Sequence, residues 1–92
     1  MQKTRLNKFC ELTGRTHQAL ADELGVKRQT AHRYCQPVGH KLHRRPVAGA
    51  SEKLRMLTFD VIHVGNFADL VDDAAAAQMV AEIAARAAEA ST

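Results

Sequence analysis

Tryptophan is absent from this chain, tyrosine occurs once and phenylalanine three times in 92 residues. A core must then be built from Leu, Val, Ile, Met and Ala, which leaves little mass to enclose a sizeable substrate and argues against an enzyme. The sequence has no Gly-rich phosphate loop and no spacing that supports a Ser-His-Asp arrangement. Its adjacent carboxylates Asp72 and Asp73 suit the start of a helix. Two cysteines, Cys10 and Cys35, are too few for the disulfide framework of a secreted mini-domain, so both read as reduced thiols of a cytoplasmic protein. Long apolar runs are missing as well. The longest uncharged stretch of the tail, Ala74 to Ala81, falls far short of the ~20 apolar residues a bilayer requires, and the opening MQKTRLNKF is polar where a signal peptide places its apolar stretch.

Acidic residues are scarce in the front of the chain. Residues 1–55 carry 12 Lys and Arg against Glu11, Asp22, Glu23 and Glu52, whereas residues 56–92 carry Arg86 alone against six acidic side chains. A basic front half attracts polyanions and an acidic back half does not.

What is present is helical periodicity. Leu6, Phe9, Cys10 and Thr13 make an i, i+3, i+4, i+7 stripe with Thr4 as N-cap and Gly14 as stop. Thr16 caps a second helix with Leu20, Ala21 and Leu24 inward, ended by Gly25. Arg28 to Cys35 form a third, with Ala31, Tyr34 and Cys35 inward and Pro37 just beyond. Residues 36–50, with two prolines, two glycines and the run HKLHRR, read as a basic loop. Ser51 is expected to open a fourth helix whose stripe of Leu54, Leu57, Thr58, Val61 and Ile62 runs to Gly65. Asn66 and Asp69 resemble a capping box that returns Phe67, Leu70 and Val71 to the core. The alanine-rich stretch from Asp72 to Ala90 predicts a last helix. No strand pattern competes. The expected fold is all-α, with four to five helices over residues 1–71 and a C-terminal alanine-rich helix over residues 72–92.

The most informative segment is HQALADELGVKRQTAHRYCQ, residues 17–36. Ala21 suits a close helix crossing, Gly25 a left-handed turn, and Val26 a plug into the core. Ala21, Leu24, Gly25, Val26, Lys27, Thr30, Ala31, His32, Arg33 and Tyr34 occupy the positions of a pattern that resembles the helix-turn-helix of the phage repressor and Cro family. Lys27 and Ala31 depart from that pattern, the first by removing an N-cap hydroxyl and the second by loosening packing. The resemblance covers about 20 residues closely and is compatible over residues 4–71.

It implies a cytoplasmic transcriptional regulator of phage or prophage type that binds double-stranded DNA. Lys27 to Gln36 would enter the major groove, with Arg28, Gln29, His32 and Arg33 at base-reading positions. Gln18 would meet phosphate at a helix N-terminus, and Lys27, Lys41, Arg44 and Arg45 would clamp the backbone. Repressor-type domains read paired half-sites, so an inverted repeat and a homodimer are expected. The tail stripe Ala76, Met79, Val80, Ile83 and Ala87 is a candidate seam, and packing onto the protein's own core is its alternative. Cys35, His40 and His43, with His32 or Cys10 as a fourth, lack the spacing of a structural zinc site, so no metal and no cofactor is expected. The rival function is a protein-binding adaptor that uses Asp60, Asp69, Asp72 and Asp73.

Overall fold

The computed structural model describes residues 2–91. The first two helices start and stop where local chemistry dictates, and the third follows from the turn that ends the second. Helix α1 (Arg5–Leu12) begins at Thr4, whose Oγ1 accepts from the Asn7 amide at 3.1 Å and donates to the Cys35 carbonyl at 2.8 Å. One buried hydroxyl thus caps α1 and anchors the chain at the end of the third helix. Helix α2 (His17–Leu24) is capped by Thr16 through the Ala19 amide and ends at Gly25. Gly25 has φ +70°, and the Val26 amide bonds the Ala21 carbonyl at 3.0 Å, a Schellman closure that a β-carbon would strain. Helix α3 (Arg28–Tyr34) follows after three residues; Lys27 is its N-cap and makes no side-chain cap bond.

Beyond the basic loop the structure departs from the sequence expectation. Helix α4 spans Ala48–Leu57, so it starts three residues before Ser51 and stops at Thr58 instead of running to Gly65. The stripe of Leu54, Thr58 and Ile62 is buried as expected, but the chain reverses through it. Phe59 and Asp60 adopt left-handed backbone at φ 53° and 67°, at a cost on the order of 1–2 kcal/mol each. Their neighbours hold them there. The Asp60 amide bonds the Arg55 carbonyl at 2.8 Å, its carboxylate accepts from Arg55 Nε at 2.7 Å, and Arg86 Nη1 donates to the Phe59 carbonyl at 2.7 Å. The buried Thr58 hydroxyl accepts from the Ile62 amide at 3.1 Å and lies 2.9 Å from the carbonyls of Leu54 and Ile62.

Asn66 and Asp69 do not cap a helix. Asn66 closes a loop instead, accepting from the His63 amide at 2.9 Å and donating to the Val61 carbonyl at 3.0 Å. Residues Leu70–Val71 form a short strand, β2, antiparallel to β1 (Lys3–Thr4), with Lys3 opposite Val71 and Thr4 opposite Leu70. The ladder buries Val71 and turns Leu70 outward, so Leu70 does not join the core. Two residues per strand are too few to leave an alternating pattern.

Helix α5 (Asp73–Ala90) starts at Asp72, whose carboxylate accepts from the Ala75 amide at 2.8 Å. It lies against α1 and β2, and it brings Met79 and Ile83 into one core with Leu6, Phe9, Leu20, Leu24, Tyr34 and Leu54. The stripe considered as a dimer seam is therefore turned inward: Ala76, Met79 and Ile83 are buried, and Val80 and Ala87 are half-buried. Residues 72–91 are part of the domain rather than an appended element. The Cα radius of gyration, 12.3 Å, is that of a compactly folded chain of this length. No helix among the described residues is long and apolar enough to cross a membrane.

Lys8 fastens α5 to α1. Although charged, it is 5 % exposed and is held between Asp73 at the start of α5 and Glu11, which lies 3.6 Å from its Nζ. The hydrogen bond from Lys8 holds the Asp73 carboxyl below the usual carboxylate range, and the bond from Lys3 does the same for Glu11. Depressed carboxylate values stabilise the fold above the unfolded value of about 4, and that stabilisation disappears as pH falls through the folded values. Thermal melts should therefore shift down on acidification below about pH 4. The Lys8→Met variant, which keeps the packing volume but not the charge, should show a shallower acid limb. Superimposable acid limbs for the two proteins would exclude this linkage.

Candidate nucleic-acid interface

The pairing of α2 with α3 positions the candidate surface. Ala21, fully buried, lets the two helices approach, and Ala31 and Tyr34 fix the inner face of α3. Tyr34 heads the fully buried side chains by volume, which makes α3 a rigidly seated helix despite its seven residues. Side chains at Arg28, Gln29 and Arg33 must then point to solvent, because the inner positions are taken.

They converge on an open hollow of about 490 Å³ lined by Thr16, His17 and Gln18 of the α2 start, Arg28, Gln29, His32 and Arg33 of α3, and Leu42 of the basic loop. All four expected base-reading residues and Gln18 are therefore brought to one surface. Guanidinium and amide groups there offer bidentate donors and acceptors of the kind that match guanine and adenine edges. His32 differs from the other three in being half-buried and held by neighbours. Its Nδ1 is 3.2 Å from His17 Nδ1, and Gln36 Nε2 lies 3.3 Å from its Nε2. Gln18 is steadied by a 2.9 Å bond to Asp22.

The expected phosphate clamps are more dispersed. Lys27 is exposed at the α3 N-cap, and Lys41 is exposed beside Leu42. The Arg44 amide bonds the Arg33 carbonyl at 3.3 Å, which moors the loop to the last turn of α3. Arg45 lines a separate depression with Val38, His43, Phe67 and Asp69. His43 stacks on Phe67 with ring centroids 5.7 Å apart, so this loop is held against the domain.

Sequence reasoning overlooked His17. Its signal was only that it opens α2 beside Gln18; the contact with a ring 15 positions later needs the helix crossing. Burial first, then the charges of His32 and Arg28, hold the His17 imidazole below its ordinary value.

The other candidate groups have structural partners. Asp60 pairs with Arg55, Asp69 lies 3.9 Å from Arg5, Asp72 caps α5 and Asp73 pairs with Lys8. All four carboxylates remain exposed at the surface while making these contacts. Cys10 and Cys35 are buried free thiols, and no three His, Cys, Asp or Glu side chains among the described residues are grouped to hold a metal ion. No family model matches this sequence, and comparisons with curated proteins and with solved structures yield no match.

Proposed function

We propose that this protein is a sequence-specific DNA-binding regulator of the helix-turn-helix type, with α3 entering the major groove of double-stranded DNA. One observation carries the proposal: Gln18, Arg28, Gln29, His32 and Arg33 share one open surface while the opposite face of α3 is packed into the core. That surface belongs to the basic part of the chain, and no carboxylate among the described residues lines it. Arg28 and Gln29 at the tip of α3 serve as base readers, Arg33 and His32 follow one turn later, and the exposed Lys27, Lys41, Arg44 and Arg45 meet the flanking phosphates. An inverted repeat takes two copies, one on each half-site.

Salt-titrated binding to a duplex of random sequence tests the electrostatic part. The intact protein should bind with an affinity that falls steeply with salt. Neutralising Lys41, Arg44 and Arg45 together should flatten the slope of log K against log salt by about 0.9 for each phosphate that no longer meets a cation. A protein with no salt-dependent affinity for duplex DNA would overturn the proposal, and an unchanged slope in the triple variant would remove the loop from it.

A further inference from the structure

His17 and His32 form a side-chain pair in the middle of the candidate surface. Their rings meet edge to face, with centroids 4.9 Å apart and planes inclined at 61°, and their Nδ1 atoms are 3.2 Å apart. Two ring nitrogens at that distance share one proton: one donates and the other accepts. Gln36 selects which. Its amide nitrogen lies 3.3 Å from the His32 carbonyl oxygen and 3.3 Å from His32 Nε2, so the NH2 end faces the ring and donates to Nε2. In that arrangement His32 carries its proton on Nδ1 and donates it to His17 Nδ1.

The groups around the pair make a second positive charge there costly in the free protein. Arg28 and Arg33 face the hollow from α3, Gln18 and Thr16 face it from the start of α2, and Leu42 covers it from the loop. None is acidic, and Asp22, the carboxylate closest along α2, is bonded to Gln18. Burial, the neighbouring His32 ring when charged, and the positive charge of Arg28 all hold the His17 imidazole below its ordinary value. A phosphate entering the hollow supplies the missing negative charge. A proton on His17 Nδ1 can then be donated to His32 Nδ1, with the His32 proton moving to Nε2 and the Gln36 side chain giving up its bond to that ring nitrogen.

We propose that the His17–His32 pair couples DNA binding to proton uptake: the pair is neutral in the free protein and takes up one proton when a DNA phosphate enters the hollow. This rests on the DNA-binding function proposed above. The sign follows from linkage. Raising the imidazole value in the complex makes affinity increase as pH falls, by at most about tenfold per pH unit for one proton, between the bound-state and free-state values.

The test is fluorescence anisotropy of the full chain on a labelled duplex, from about pH 8 to about pH 5.5 at fixed ionic strength. The intact protein should gain several-fold in affinity per pH unit over part of that range. His17→Asn, which removes the ring that takes up the proton, should bind with a much flatter profile; His40, His43 and His63 lie outside the hollow. His32→Gln provides a second variant should the first lose helical circular dichroism. A flat profile for the intact protein, or a slope retained in both variants, overturns the proton linkage while leaving DNA binding in place. No duplex binding at any pH overturns both.

Discussion

Ending the chain at Val71 is expected to unfold the domain. Helix α5 contributes Met79 and Ile83 to the common core and covers the inner side of α1. Burial of each such side chain stabilises by about 1.5–3 kcal/mol. Their joint loss, with Ala76 and the Lys8–Asp73 pair gone as well, approaches the whole stability of a small domain, roughly 5–15 kcal/mol. The truncated protein should show weakened far-ultraviolet circular dichroism and no cooperative melt, at any protein concentration. A truncated chain that melts like the intact one would mean that α5 is dispensable to the core.

The second large effect is expected at Tyr34. Replacing a fully buried aromatic side chain with alanine costs about 3–5 kcal/mol, because the cavity left behind collapses only in part. Tyr34 sits on the same seven-residue helix as the candidate base readers, so Tyr34→Ala should loosen α3 and weaken binding to every DNA sequence alike. Arg33→Ala, one position earlier and exposed, should change stability by no more than about 0.5 kcal/mol. Urea denaturation of the two variants checks the contrast. Equal losses of stability would contradict the seating of α3 described above.

Helices α1 and α2 were legible in the sequence because their ends carry chemistry that acts locally. Thr4 and Thr16 cap, and Gly25 supplies the left-handed turn, whatever packs against them. The end of α4 was illegible for the opposite reason. The apolar period continues through Thr58 to Ile62, and nothing local marks Phe59 and Asp60 as left-handed; bonds from Arg55 and Arg86 hold them so. Asn66 and Asp69 have the residue types of a capping box, yet Asn66 commits its side-chain amide to His63 and Val61. For α5 the periodicity identified the face that is buried but not the surface that buries it, which is why the stripe read equally well as a dimer seam. The candidate site was legible wherever position on a helix decides exposure, as for Arg28, Gln29 and Arg33. It was illegible where a tertiary contact decides, as for His17 against His32.

The most direct test of DNA reading by α3 is selection of bound sequences from a random duplex pool, run in parallel with the intact protein and with Arg28→Ala. The intact protein should enrich a defined site. Arg28→Ala should retain its fold and lose about 1–3 kcal/mol on that site, with base preference relaxed at one position and random-sequence affinity much less affected. Failure to enrich any sequence, or enrichment of the same site to the same degree by Arg28→Ala, would contradict the assignment of α3 as the reading helix.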